Sequence, residues 1–184
     1  MKRFISLLMS ALMLVAVLAG CGSGGGGEQG SDASENIVTL RNTGFLTTSD
    51  PNQTTNTHEY TVFENIYEGL YDLNEAEGGY DLRLAEKIEA NDDATEYIVT
   101  LRKDVKFHNG ESMTADDVVF SYDLAQASPK QASYVRPLDH VEKVDEHTVK
   151  IVMNQSFSPI GHMLHKVKIL SQKEVFLLLH KFLC

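Results

Sequence analysis

Between Tyr97 and Ala125 the hydrophobic period of the chain changes from two to that of a helix, and this change sets the fold class. Tyr97, Val99 and Leu101 alternate with the residues between them, as in a half-buried strand. Phe107 is followed by His108-Asn109-Gly110, and Asn-Gly signals a tight turn. Thr114 then precedes Ala115-Asp116-Asp117. This predicts a helix capped by Thr114, with Asp117 at its third position and two carboxylates at the positive end of the helix dipole. Val118, Val119, Tyr122 and Ala125 share one face, and Pro129 stops the helix. A strand and an amphipathic helix this close together require a mixed α and β fold.

The rest of the body carries similar signals. Ile37 to Arg41 is β-rich and predicts a strand. Residues 46–58 are almost wholly polar, hold Pro51, and predict an irregular segment of the length that is often functional. Tyr60, Phe63, Ile66, Tyr67 and Leu70 recur at helical spacing, with Thr57 as N-cap and Gly69 near the helix end; the aromatic stripe Tyr60, Phe63, Tyr67 reads as core. Tyr71 to Leu84 predicts two short strands around a turn at Asn74 to Gly79. Ile88–Ala90 with Tyr97–Leu101, and Val141–Val144 with Thr148–Met153, predict two hairpins. Ser158-Pro159 opens a short helix with proline at its first position, carrying Ile160, Met163 and Leu164. Ser171 to Val175 reads as a return strand.

The N-terminus is organised differently. Lys2 and Arg3 precede an apolar run from Phe4 to Leu18, too short for a comfortable membrane span of roughly 20 residues. Ala19-Gly20 then lead into Cys21. This Leu-Ala-Gly-Cys box resembles the bacterial lipoprotein signal. The resemblance implies cleavage before Cys21 and a diacylglycerol on its thiol, placing the protein on the outer face of the cytoplasmic membrane. Two or more acyl chains at one terminus hold far better than one. Residues 21–35 are rich in glycine and polar residues and predict a flexible tether. Removing residues 1–20 takes the formal charge from −10 to −12. Such an acidic chain is not built to bind nucleic acid through phosphate contacts.

The residues offer little chemistry. His162, His165 and His180 lack the close fourth ligand of a zinc site, so no metal is expected. Asp116 and Asp117 are accounted for by helix capping. No nucleophile elbow, phosphate-cradling loop or Cys/His pair is present, so no catalytic residue and no cofactor is expected.

One stretch carries more. YIVTLRKDVKFHNGESMTADDVVFSYDLA, residues 97–125, resembles the signature region of the extracellular solute-binding proteins of ABC transporters, and more narrowly the oligopeptide- and dipeptide-binding family (family 5). Asp50-Pro51, the run Phe63 to Leu70 and Leu84-Ala85-Glu86 agree in order and spacing. The resemblance implies an α/β, periplasmic-binding-protein-like fold of two lobes closing on an extended peptide, incomplete here and α+β within this chain. It implies a binding protein rather than an enzyme, serving an ABC permease and ATPase. It points to Thr55 and Thr57, then Asn56 and His58, as ligand contacts, and less directly to Lys130 and Gln131. The expected layout is a signal peptide at 1–20, a tether at 21–35, the N-terminal part of a solute-binding domain at 36–175, and an atypical apolar tail at 176–184 that suggests a frameshift or truncation. One lobe alone is not expected to hold a peptide tightly. A short surface lipoprotein with an interaction role and no transport function is the alternative.

Overall fold

The computed structural model describes residues 44–175, which fall within a single structural unit. The signal segment, Cys21, the tether, the strand expected at Ile37 to Arg41 and the tail at 176–184 lie outside the described residues.

A 3₁₀ turn at Pro51–Gln53 leads into helix α1, Thr57–Phe63. Strands β1 (Tyr71–Asn74) and β2 (Gly79–Leu82) form a hairpin whose turn contains Gly78 at φ 72°. Strands β3 (Ala85–Ala90), β4 (Glu96–Leu101), β5 (Leu138–Asp145) and β6 (Thr148–Met153) make an antiparallel sheet in the order β3-β4-β6-β5. Between β4 and β5 lie α2 (Ala115–Ala127) and the short α3 (Ala132–Val135). Helix α4, Ile160–Lys166, follows β6.

The register explains the core. Tyr97 pairs with Ile151 and Val99 with Val149, so the buried residues of β4 and β6 stand side by side. Leu138 and Val141 extend this face across β5, and α2 covers it with Val118, Tyr122 and Ala125. Ile98, on the other face of β4, is exposed. This is a sheet with one buried face and a helical layer. The three hairpins and α2 therefore form where the residue patterns place them.

Helix α2 begins as its sequence requires. The Asp117 carboxylate accepts hydrogen bonds from the Thr114 backbone N–H (2.9 Å) and hydroxyl (3.1 Å). The Ala115 N–H donates to the Glu146 carbonyl at 2.9 Å, tying the helix start to the β5–β6 turn. Gly110, at φ 88°, turns the chain after Asn109.

Four details differ from expectation. Helix α1 ends at Phe63, so Ile66, Tyr67 and Leu70 lie beyond it; Leu70 is buried, Ile66 exposed. Its N-cap is Asn56 rather than Thr57, because the Asn56 side chain accepts from the His58 N–H at 2.9 Å and Thr57 already has helical backbone. Pro159 is the N-cap of α4, one position before the expected one. Residues 172–175 are helical rather than a strand: Ser171 Oγ accepts from Glu174 N–H at 3.3 Å and Asp117 accepts from Gln172 N–H at 2.9 Å.

Candidate functional site

The polar segment before α1 is held by side chains from a distant part of the chain. Asp50 caps the 3₁₀ turn, accepting from Asn52 N–H at 2.8 Å. Ser128, at the end of α2, donates to the Asn52 carbonyl at 2.5 Å. Gln131 donates to the Pro51 carbonyl at 2.8 Å and to the Tyr60 hydroxyl at 3.1 Å. Lys130 donates to the Gln53 carbonyl, and the Tyr67 hydroxyl donates to the Ser49 carbonyl at 2.7 Å. Backbone carbonyls that no sheet or helix satisfies thus find partners elsewhere, and Asn52, Thr54, Ser128 and Gln131 are buried in the process.

Of the residues singled out from the sequence, Thr55, Asn56, Thr57 and His58 all have exposed side chains. They form the outward rim of this anchored segment. The Ser128–Gln131 stretch comes to the same place, but Gln131 is buried as a support for the segment and Lys130 braces its backbone. The aromatic stripe is core only at Phe63; Tyr60 and Tyr67 are half-buried and use their hydroxyls on the segment.

Glu59, on the inner side of α1, is the segment's electrostatic anchor. It is buried and accepts from the Thr47 N–H at 2.5 Å and the Thr47 hydroxyl at 2.6 Å. The Thr47 hydroxyl first, then the Thr54 hydroxyl and the Thr47 backbone, hold its carboxyl down from 4.5 to about 2. Because the folded value is depressed, the stabilisation is complete above the unfolded value and is lost as pH falls toward 2. Between pH about 4.5 and 2, the urea midpoint of the wild type is expected to fall more steeply than that of Glu59→Gln. Parallel curves over that window contradict the anchor.

Two other features bear on chemistry. A groove of about 410 Å³ at the start of α2 is lined by Phe107, Glu111, Thr114, Asp116, Asp117 and Lys173 among others. Its carboxylates are engaged: Asp117 caps α2, Asp116 pairs with Lys143 at 2.7 Å, and Glu111 pairs with Lys173. The second lies between α1, β1 and α4, where the buried ammonium of Lys168 sits 2.7 Å from Glu64 Oε2. His165, also buried, places Nε2 3.6 Å from Glu64 Oε1 and Nδ1 3.9 Å from Asp72 Oδ1. Glu64 and Asp72 come from far upstream of His165, so no local spacing announces this set.

The body thus combines an antiparallel sheet with one buried face and a polar segment whose backbone is held by Ser128, Lys130 and Gln131. The model for bacterial extracellular solute-binding proteins, family 5 (middle region) matches residues 80–176. The glutathione-binding protein GsiB of Escherichia coli O6:K15:H31 is 31% identical over 135 residues, covering 72% of this chain and 26% of that protein. The probable D,D-dipeptide-binding periplasmic protein DdpA of Escherichia coli K12 is 31% identical over 122 residues, covering 64% of this chain and 24% of that one. The oligopeptide-binding protein AppA of Bacillus subtilis, solved with a nonapeptide, superposes with a TM-score of 0.63 at 27% identity, covering 68% of this chain and 26% of AppA. The chain belongs to the bacterial extracellular solute-binding proteins, family 5. Its fold is the periplasmic-binding-protein-like one, of which it carries part. It spans about a quarter of the length of the curated relatives it matches.

Proposed function

We propose that this chain supplies one wall of the peptide site of an ABC-importer binding protein, tethered to the membrane through a lipid on Cys21. The observation that carries the reading is the exposed polar stretch at residues 55–58, which directly follows residues 51–53, whose backbone carbonyls are held by Ser128, Lys130 and Gln131. Thr55 and Thr57, with Asn56 and His58, are the proposed contacts. Support for a peptide as solute comes from the relatives, which include a D,D-dipeptide-binding protein and one solved with a nonapeptide.

In this reading recognition is largely sequence-tolerant. The peptide main chain pairs with protein backbone as an added strand, and water fills the space around its side chains. The protein makes and breaks no bonds; it captures solute and hands it to a permease. A site between two walls gains its affinity by removing the ligand from water on both sides. One wall leaves half the ligand solvated while still restricting its motion, so the chain alone is expected to bind peptides only in the millimolar range. Amide-resolved NMR during a peptide titration tests both the place and the strength of binding.

A further inference from the structure

We propose that Glu64, Asp72 and His165 form a binding site for a divalent transition-metal ion, of which Zn²⁺ is the representative. The three residues come from separate elements: Glu64 caps the C-terminus of α1, Asp72 lies on β1, and His165 lies on α4. One donor atom from each lies within 4.8 Å of the other two. Metal–ligand bonds of about 2.1 Å put neighbouring ligand atoms roughly 3–3.5 Å apart. A small side-chain rotation of the solvent-accessible Asp72 closes most of that difference.

The independent observation is His165 itself. It is only 5% exposed, yet its Nδ1 is buried without a hydrogen-bond partner. The charged group it faces is the Asp72 carboxylate, 3.9 Å away, too far for a hydrogen bond. A buried imidazole nitrogen rarely goes unused. A cation bound at Nδ1 beside Asp72, with a Glu64 oxygen as third ligand, would satisfy it.

The surrounding charges set the character of the site. Lys168 holds Glu64 Oε2 at 2.7 Å, which fixes that carboxylate and leaves Oε1 turned toward His165. Lys166 stands 4.0 Å from Glu64 Oε1, with its ammonium 4.8 Å from the centre of the Tyr60 ring. These two ammonium groups oppose a cation and limit its affinity. One imidazole with two carboxylates suits zinc, nickel or cobalt, whereas calcium and magnesium prefer oxygen ligands alone. Three protein ligands leave coordination positions for water.

The test is a calorimetric titration of the full chain with Zn²⁺, repeated with Co²⁺ while following visible absorption. A single saturable site is expected, unaffected by millimolar Ca²⁺. Asp72→Asn carries the test, because its side chain is 55% exposed and the substitution leaves the core intact. It is expected to weaken Zn²⁺ at least tenfold and to abolish the Co²⁺ band. Lys166→Gln is expected to tighten Zn²⁺ severalfold by removing a like charge, and Cys184→Ser to leave it unchanged. No saturable binding up to about 1 mM overturns the proposal. So does Asp72→Asn binding as the wild type does, which would mean that the ion sits elsewhere on the chain.

Discussion

Alanine at position 69 is expected to lower the stability of the folded body by about 3 kcal/mol, the upper part of the usual range for overpacking a tight site. Gly69 lies in the connection between α1 and β1, against the end of α4. A β-carbon there would stand 2.6 Å from the Leu164 carbonyl oxygen and 2.8 Å from that of His165, with the Tyr71 carbonyl at 3.2 Å. These are backbone atoms, two of them in a helix, and none can swing aside. The Leu84 N–H also donates to the Gly69 carbonyl, and the Ile169 N–H to that of Glu68, so the connection is pinned on both sides. Relief requires moving α4 away from the β1–β2 hairpin. Urea denaturation of Gly69→Ala against the wild type measures the effect. A change below about 0.5 kcal/mol, the scale of an ordinary surface substitution, contradicts the packing described.

Serine in place of Cys21 is expected to abolish the proposed lipid attachment completely. Cys21 is one of only two cysteines, the other being Cys184. A single myristoyl chain binds membranes only marginally, with a constant on the order of 10⁴ M⁻¹, and each further buried methylene adds about 0.8 kcal/mol. The two chains of the proposed diacylglyceryl thioether would therefore hold far more firmly than one. Cells grown with labelled palmitate should yield labelled wild type and labelled Cys184→Ser, but unlabelled Cys21→Ser. A wild-type protein that carries no label and retains its leader contradicts the lipoprotein reading, as does a labelled Cys21→Ser.

How far the fold was legible depended on how local its causes are. The β3–β4 and β5–β6 hairpins and the start of α2 each rest on a few adjacent residues: alternation in Tyr97, Val99 and Leu101, and Thr114 with Asp117 three positions on. Those elements form as the pattern implies. The end of α1 has no such local cause. The helical spacing runs on through Ile66, Tyr67 and Leu70, but Gly69 is needed against α4 and Glu64 is drawn to Lys168, so tertiary contacts end the helix early. The turn into helix at residues 172–175 did leave a signal, since Ser171-Gln172-Lys173-Glu174 has the spacing of a capping box.

The candidate site was legible in part. An unusually long polar run marked residues 46–58, and the family resemblance pointed within it to Thr55–His58. The supports from Ser128 and Gln131 reach across 76 and 80 positions, and no local pattern announces them. The Glu64–Asp72–His165 cluster was invisible for the same reason. A histidine on an amphipathic helix gives no hint of which carboxylates the fold will bring to it.

The proposed peptide wall is most directly tested by amide NMR of the full chain titrated with trialanine. Shifts are expected at Thr55, Asn56, Thr57 and His58, with smaller ones at Lys130 and Gln131 and no saturation below about 1 mM, as weak one-sided binding requires. Amides of the segment that stay fixed while others move, or no shift anywhere at several millimolar peptide, would contradict the assignment.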